Sequence, residues 1–356
     1  MTLQRRIAVI PGDGIGPEVI QQARRVLHWY QEKRSIPLEL WELDLGAERY
    51  LRDGTTLPRE LSQEIGTCAA VLLGALGDPR IVDSRHARDI LFGLRLGFDL
   101  YANIRPAKAL CDRLVPLRRR RARDIDFVVF RENTEGAYVG MGGQFKRGSP
   151  DEIAINEDVN TRKGVERILR AAFEYARNHG CRRLHMADKS NALRFAHELW
   201  SRVFDEVRAE YPEVEARHVY IDALCFYLVQ DPSAFEVIVT SNLFGDIVTD
   251  LAAAFQGGLG MAASANVHST DRARVGLFEP VHGSAPDLVG RGVANPCGAL
   301  LSVGMMLGFL GYPEEELRLE NAIRAALAAG AGTPDIGGSL GTEGFAGRIL
   351  EYLEAL

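Results

Sequence analysis

The stretch FEVIVTSNLFGDIVTDLAAAF, Phe235–Phe255, joins a short apolar strand to an apolar helix and places two acids in that helix. β-Branched residues in FEVIVT favour the strand. Asp246 and Asp250 lie four residues apart, so a helix presents both carboxylates on one face. Burying an ionised carboxylate is costly unless a positive group meets it. The pair therefore predicts a bound cation, with two exposed acids on an amphipathic helix as the alternative.

The same alternation of strand and helix runs along the rest of the chain. Further buried strands are predicted at 6–10, 68–76, 126–130 and 182–187. Apolar residues at helical spacing follow the first strand, and a helix that begins at Thr161 and is closed by Gly180 lies between the third and the fourth. The last third is predicted to be mostly helical. Strands alternating with helices predict an α/β fold.

Composition excludes several classes of partner. The 356 residues are 46% hydrophobic, carry a net charge of −6 and have a pI near 5.8, which gives no general attraction to nucleic acid or to anionic membranes. No apolar run approaches the ~20 residues that span a bilayer. The five cysteines are scattered and form no CxxC motif, and the N-terminus has no secretory h-region. We therefore expect a cytoplasmic protein.

Residues 136–158, GAYVGMGGQFKRGSPDEIAINED, fit neither a core strand nor a core helix. Their glycines, alternating polarity and Gly-Ser-Pro turn predict a projecting β-hairpin. A projecting hairpin leaves strand edges that need a partner. We expect this hairpin to be a contact in a homodimer.

A third acid, Asp222, stands alone among apolar residues in HVYIDALCFYLVQDP. It is expected to be coordinated to a metal or paired with a cation, and a buried Asp–Arg pair remains an alternative. Oxygen ligands alone suit a hard cation, Mg²⁺ or Mn²⁺. Asp222, Asp246 and Asp250 are therefore the candidate metal ligands.

Three arginines, Arg95, Arg105 and Arg131, are candidates for holding substrate. Arginine can grip a carboxylate through two hydrogen bonds, which lysine cannot do. Three guanidinium groups beside a divalent ion would suit a small di- or tricarboxylate. Lys189, which directly follows a predicted strand, and Tyr138 are candidates for proton transfer.

Seven motifs occur in order over nearly the whole chain: PGDGIGPE (11–18), LYANIRP (100–106), RENTEGAY (131–138), DKSN (188–191), SNLFGDIVTDLA (241–252), FEPVHGSAPD (278–287) and ANP (294–296). Together they resemble the isocitrate/isopropylmalate dehydrogenase family. GDGIGPE is not the G-x-G-x-x-G fingerprint, and the resemblance implies a different, two-domain α/β fold that binds NAD(P). It also implies a decarboxylating dehydrogenase that oxidises a 2-hydroxy acid, releases its β-carboxylate as CO2 and reprotonates the resulting enolate.

The resemblance assigns roles to the candidate residues. Arg95, Arg105 and Arg131 would hold the substrate carboxylates, and Asp222, Asp246 and Asp250 would hold Mg²⁺ or Mn²⁺. Lys189 would assist removal of the hydroxyl proton, and Tyr138 would protonate the enol. Asp222 and Lys189 would enter the neighbouring subunit's site, so a monomer should be inactive.

The resemblance likewise implies the cofactor residues. Those that would contact the dinucleotide are Ile15, His282, Gly283, Ser284, Ala285, Pro286, Asp287 and Asn295. A carboxylate at Asp287 can accept hydrogen bonds from ribose hydroxyls and would repel a 2′-phosphate. We therefore expect NAD to be preferred over NADP.

Leu91 and Phe92, just before Arg95, bear on substrate choice. Apolar groups there resemble the isopropylmalate enzymes, which enclose a branched alkyl group. RENTEGAYVGMGG and SANVHSTDRARVGLFEPVHG instead resemble the tartrate/D-malate branch, which stays the alternative. These apolar groups make an isocitrate or homoisocitrate substrate less favoured. A non-catalytic regulatory subunit is also less favoured, because the whole catalytic set is present.

The expected architecture has two domains. Residues 1–100 with 257–356 should form the cofactor-binding domain, and 101–256, including the hairpin, should form the substrate and dimerisation domain. The cleft between the two domains is expected to hold the metal, the substrate and the nicotinamide.

Overall fold

The computed structural model describes residues 4–356. The chain divides into two compact units. Of the described residues, the first contains 4–100, Pro106–Ile125 and Ala253–Leu356, and the second contains Tyr101–Arg105 and Asp126–Ala252. The units differ from the expected domains at 106–125 and 253–256, which lie in the first unit. Within 4–356, no helix combines the length and hydropathy needed to cross a membrane.

Strands and helices alternate along most of the chain, as expected. The strands are β1 Arg5–Gly12, β2 Leu38–Glu42, β3 Ala70–Ala75, β4 Ala102–Lys108, β5 Asp126–Glu132, β6 Gly142–Phe145, β7 Ile153–Asn156, β8 Arg183–Asp188, β9 Glu215–Tyr220, β10 Val237–Thr240, β11 Ala263–Val267 and β12 Gly276–Pro280. The helices are α1 Gly16–Arg34, α2 Ala47–Asp53, α3 Arg59–Ile65, α4 Arg85–Gly97, α5 Arg162–Asn178, α6 Arg194–Arg208, α7 Ile221–Gln230, α8 Asn242–Phe255, α9 Cys297–Phe309, α10 Pro313–Ala328 and α11 Thr342–Ala355.

The first unit is built on the strand order β2-β1-β3-β12-β11. β1 pairs in parallel with β2 and β3, β12 pairs in parallel with β3, and β11 runs antiparallel to β12. Every residue of β3 is buried, as expected for a central parallel strand covered on both faces. α9 packs against β3, β11 and β12 of this sheet, α10 packs against α9, and α11 packs against α10.

The second unit has the strand order β4-β5-β10-β8-β9, and β5, β10, β8 and β9 are parallel. The predicted helix after the hairpin is α5. Thr161 caps it by accepting a hydrogen bond from the Gly164 amide at 3.0 Å, so the predicted N-cap is confirmed. The parallel arrangement places the carboxyl ends of these strands, which precede Lys189 and α8, at one edge of the sheet.

The predicted hairpin is present as β6 and β7. The two strands pair antiparallel in a sheet of their own, from Gly142 opposite Asn156 to Phe145 opposite Ile153. All of their residues are exposed within the single chain, including the large apolar ones. The hairpin's role as a dimer contact stays a prediction.

Candidate active site

Three side chains converge on the carboxylate of Asp246. Arg131 Nη1 lies 2.6 Å and Arg105 Nη1 lies 3.4 Å from its Oδ1, and the Tyr138 hydroxyl donates to its Oδ2 at 3.0 Å. Both arginines are buried, while the Asp246 side chain is 38% exposed. The structure thus joins two of the predicted substrate arginines, the predicted proton donor and a predicted metal ligand.

The sequence holds Arg131 against α8 through two neighbours. A Cβ on Gly245 would lie 2.5 Å from Arg131 Cγ, so the glycine makes room for the arginine side chain. Arg131 Nε donates to Asn242 Oδ1 at 3.0 Å. Gly245 lies inside α8, so its lack of a side chain serves this packing and not a backbone turn.

Arg105 is fixed independently of Asp246. Its Nε donates to Asn103 Oδ1 at 2.8 Å, and its Nη1 donates to Thr249 Oγ1 at 2.7 Å. These bonds hold the guanidinium beside α8 whether or not the carboxylate is engaged. The arrangement leaves a preorganised positive group for an anionic ligand.

Asp250 lies one helical turn after Asp246. Burial raises its pKa, the Asp246 charge raises it further, and Arg105 and Arg131 oppose these effects. A cation beside Asp250 would offset both the effect of burial and the effect of the Asp246 charge. The helix is less buried than expected, because Leu243 is exposed and Ile247 is 53% exposed.

Asp222 pairs with Lys189 instead of joining this cluster. Lys189 Nζ lies 2.8 Å from Asp222 Oδ1, and this hydrogen bond is the main cause of the lowered pKa of Asp222. The expected pairing of Asp222 with a cation is therefore present, whereas the alternative of a buried Asp–Arg pair is not, because the partner is a lysine and the Asp222 side chain is 68% exposed. Among the described residues of this one chain, no three His, Cys, Asp or Glu side chains form a group that could hold a metal.

The residue before Lys189 is a buried anchor that sequence reasoning missed. Asp188 Oδ1 lies 2.7 Å from His218 Nε2, and Asp188 Oδ2 accepts a hydrogen bond from Ser201 Oγ at 2.9 Å. The hydrogen bond to Asp188 raises the pKa of His218. Asp188 at the end of β8 lies opposite Tyr220 at the end of β9. This register places the two strand ends side by side, and Lys189 and Asp222 come directly after them.

In the first unit, the GDGIG loop packs against the HGSAP loop. The Ile15 amide donates to the Ser284 carbonyl at 2.9 Å. Gly14 has φ +59°, and a Cβ there would lie 2.0 Å from that carbonyl oxygen, so only glycine fits. Two of the predicted cofactor residues are thereby in direct backbone contact.

Asp13 holds this loop in place and was not predicted. Its Oδ1 accepts from the Ala47 amide at 2.6 Å, and its Oδ2 accepts from the Gly77 amide at 2.8 Å and lies 2.9 Å from His86 Nε2. His86 is wholly buried in the first turn of α4. Asp13 therefore fixes this loop through three partners, and the spacing of residues in the sequence does not predict these contacts.

His282 offers an unsatisfied polar atom to a ligand. Its Nδ1 lies 2.9 Å from the Gly283 carbonyl, and its buried Nε2 has no hydrogen-bond partner within residues 4–356. Burial lowers its pKa, which favours the neutral ring. Asp287 is exposed, whereas Asn295 is buried and bonded to Asp335 at 3.0 Å. The loop could therefore hold a dinucleotide through His282 and Asp287, next to an Asn295 side chain that Asp335 fixes in place.

Arg95 lies in the last turn of α4 and is buried. Its Nη2 donates to Glu279 Oε1 at 2.7 Å, and its buried Nε has no hydrogen-bond partner in the described part of the chain. Glu279, to which the sequence assigned no role, is also bonded to Asn266. Leu91 is partly buried against the core of this unit, and Phe92 is partly exposed.

Comparison with known proteins identifies a family for the whole chain. The isocitrate/isopropylmalate dehydrogenase model matches residues 6–349. A 3-isopropylmalate dehydrogenase of Thermobifida fusca is 45% identical over 318 residues, which are 89% of this chain and 90% of that protein. One from Streptomyces griseus is 46% identical over 339 residues, 94% and 96% of the two chains.

The fold agrees with the sequence match. The crystal structure of isocitrate dehydrogenase from Methylococcus capsulatus superposes with a TM-score of 0.89 at 34% identity, covering 98% of this chain and 99% of that one. The predicted α/β fold and the predicted resemblance are both confirmed. The chain belongs to the isocitrate/isopropylmalate dehydrogenase family.

Proposed function

We propose that this decarboxylating dehydrogenase uses NAD to oxidise a 2-hydroxy acid that carries a β-carboxylate, giving a 2-oxo acid, CO2 and NADH, with a divalent cation as a cofactor that is not consumed. The favoured substrate is 3-isopropylmalate or a close 3-alkylmalate. The observation that carries the proposal is the convergence of Arg105, Arg131 and Tyr138 on Asp246, one turn from Asp250. It combines carboxylate binding, cation binding and proton donation at one point.

The donor set fits Mg²⁺ or Mn²⁺. Asp246 and Asp250 would hold the ion with Asp222 of a second copy, since all three offer oxygen. When bound, the ion supplies Lewis-acid polarisation of the substrate's hydroxyl and carbonyl oxygen, and NAD supplies the hydride acceptor. The raised pKa of Asp250 supports this assignment, because a cation there would offset both burial and the Asp246 charge.

The chain's own side chains orient the substrate and move its protons. Arg105 and Arg131 would bind carboxylate oxygens with Arg95. Lys189 would assist removal of the hydroxyl proton as the C–H bond gives up its hydride. The bond to the β-carboxylate then breaks, its electron pair forms the enolate, and Tyr138 donates a proton to carbon.

The cofactor choice follows from Asp287. Its carboxylate is exposed on the loop after His282, where it can accept hydrogen bonds from two ribose hydroxyls. A 2′-phosphate would meet its negative charge. Ile15, Gly283, Ser284, Ala285, Pro286 and Asn295 complete the proposed NAD site.

A homodimer with shared sites is part of the proposal. The second unit exposes large apolar side chains that a single chain leaves uncovered: Met141, Phe145, Ile153 and Ile155 on the hairpin, Phe226, Tyr227 and Val229 on α7, and Leu243 and Ile247 on α8. Contiguous exposed apolar surface marks interaction sites. A second copy would cover this surface and bring its Asp222 and Lys189 to the neighbour's Asp246.

The residues before Arg95 favour a substrate that carries an alkyl group. Leu91 and Phe92 offer apolar surface to an alkyl group, as in the isopropylmalate enzymes. D-Malate or tartrate is the alternative, because RENTEGAYVGMGG resembles that branch and a large Phe92 could reduce the pocket.

A panel assay tests the proposal. NADH and NADPH formation would be measured with 3-isopropylmalate, D-malate, tartrate, isocitrate and homoisocitrate, each with Mn²⁺ or with EDTA. We expect the highest kcat/KM for 3-isopropylmalate with NAD, and none with EDTA. Preference for D-malate or tartrate would establish the alternative, and undiminished turnover in EDTA would refute the metal role.

A further inference from the structure

His197 is a fully buried histidine at the start of α6, and the proposed chemistry does not use it. Its side chain is 1% exposed. Its Nδ1 lies 3.1 Å from the backbone nitrogen of Lys189. Because a backbone N–H can only donate, Nδ1 accepts this bond and the ring proton lies on Nε2. The imidazole thus fixes the backbone of the proposed proton-transfer lysine.

The other ring nitrogen faces the base of the hairpin. His197 Nε2 lies 3.7 Å from Asp158 Oδ2, and the interaction with His197 is the main cause of the lowered pKa of Asp158. Asp158 also accepts from Asn160 Nδ2 at 3.0 Å, and Asn160 Oδ1 accepts from Trp200 Nε1 at 2.8 Å. Asp158 is therefore held from two sides.

Asp158 adjoins the segment that carries Tyr138. The next residue, Val159, pairs with Gly136, whose amide donates to the Val159 carbonyl at 2.7 Å. Gly136 precedes Tyr138 by two residues. A change in the position of Asp158 would therefore reach the proposed proton donor through one backbone bridge.

The face of the imidazole meets α8. The Phe244 ring centroid lies 5.2 Å from that of His197. Phe244 precedes Asp246 by two residues in the helix that carries both α8 acids. One ring thus contacts three separate chain segments. Two of them bear residues of the proposed reaction, and the third, at Asp158, is bridged to the segment that bears Tyr138.

We propose that His197 is a positioning residue that sets Lys189, Tyr138 and the α8 carboxylates relative to one another. This inference rests on the proposed function. His197 holds each element through a different feature: Nδ1 for Lys189, Nε2 for Asp158 and the ring face for Phe244. A misplacement near 1 Å at such a junction can cost about 10²-fold in rate, because reacting groups leave their alignment.

Two substitutions at position 197 separate these contacts. His197→Phe keeps a ring beside Phe244 and removes both nitrogens. His197→Asn places an amide oxygen near the former Nδ1, so it keeps an acceptor for the Lys189 amide. His185→Phe is the matched control, because His185 lies on β8 in the same unit and packs its ring 4.7 Å from Phe235.

The expected result is a loss in kcat rather than in cofactor binding. His197→Phe should lower kcat by about 10²-fold with an unchanged KM for NAD, and His197→Asn should recover part of that loss. His185→Phe should keep the kcat of the parent enzyme. Circular dichroism and dimer mass would establish that each variant is folded.

Lys189→Ala separates failure of this inference from failure of the proposed function. If Lys189→Ala is inactive while a folded His197→Phe keeps the parent kcat, the positioning role is overturned and the proposed function stands. If Lys189→Ala keeps the parent kcat, the proposed role of Lys189 fails and this inference fails with it. Equal losses of kcat in His197→Phe and His197→Asn, caused by unfolding of both variants, would also overturn the positioning role.

Discussion

The Tyr138 hydroxyl donates a hydrogen bond to Oδ2 of Asp246 at 3.0 Å. Arg131 donates to Oδ1 of the same carboxylate at 2.6 Å. Burial raises the pKa of Tyr138, and the negative charge of Asp246 raises it further. The phenol is therefore kept protonated at neutral pH, as a donor to carbon must be. The same hydrogen bond aims it at the α8 carboxylates.

Tyr138→Phe should remove the final protonation while preserving the fold. We expect kcat to fall by about 10²- to 10⁴-fold, the range that general acid catalysis supplies. The measurement is steady-state turnover with NAD and Mn²⁺. Tyr352→Phe, on α11 beside Arg348, is the control and should keep the parent rate. A Tyr138→Phe enzyme with the parent kcat would show that another group donates the proton.

Asp287→Lys should move cofactor preference towards NADP. The lysine would attract the 2′-phosphate that the aspartate repels, so the NADP/NAD ratio of kcat/KM should rise by at least ~10-fold, about 1.4 kcal/mol. Asp271→Lys makes the same charge change elsewhere in the same unit and should leave the ratio unchanged. An unchanged ratio in Asp287→Lys would place ribose recognition on other residues.

Phe145→Glu should weaken the proposed dimer. The side chain is 57% exposed in the single chain, and burying a charge at a dimer contact would be costly. Sedimentation should show a dissociation constant raised by about 10-fold or more, and activity should fall with dilution. Leu51→Glu, on exposed α2 of the other unit, is the control. An unaltered dimer would remove the hairpin from the interface.

Glu316→Gln should stabilise the protein in alkaline but not in acidic solution. Burial and the Glu320 charge raise the pKa of Glu316 from 4.5 to about 7, against the opposing effect of Lys108. The folded state therefore binds the proton more tightly, and stability falls as pH rises from 4.5 to 7. Above that window the charged acid costs up to roughly 3 kcal/mol.

The measurement is the free energy of unfolding at pH 5 and at pH 8. Glu316→Gln should raise it at pH 8 and change it little at pH 5. Glu314→Gln, exposed in the first turn of the same helix, should have no comparable effect. A Gln variant less stable than the parent at pH 8 would mean that the charged form is favoured in the fold.

Much of the architecture was predictable from local pattern. Short apolar runs identified β1, β3, β5, β8 and β10, because strands buried on both faces are apolar throughout. Thr161 marked the start of α5 through its capping chemistry. The motif residues 105, 131, 138 and 246 converge in space, as their shared chemistry suggested.

The remaining features depend on contacts between distant segments. The sequence indicated a cation or a metal beside Asp222 without identifying it, and the structure supplies Lys189 from a different segment. Several of the apolar residues around Asp222 are exposed as well. Asp13 and His197 are single polar residues whose partners come from three segments each. Residues 106–125 belong to the first unit, although they begin inside β4, a strand whose first residues belong to the second. The spacing of apolar residues along the sequence does not predict contacts between distant segments.

Mixing two inactive variants tests the central claim most directly: that acids of two chains share one cation beside the substrate arginines. Asp222→Asn and Asp246→Asn should each be inactive alone. After dissociation and reassociation in equal amounts, half the dimers would be mixed, and each mixed dimer would contain one intact site. The mixture should therefore recover about a quarter of the parent activity. Mixed dimers, verified by mass, that remain inactive would contradict the account, and so would an Asp246→Asn enzyme with undiminished turnover.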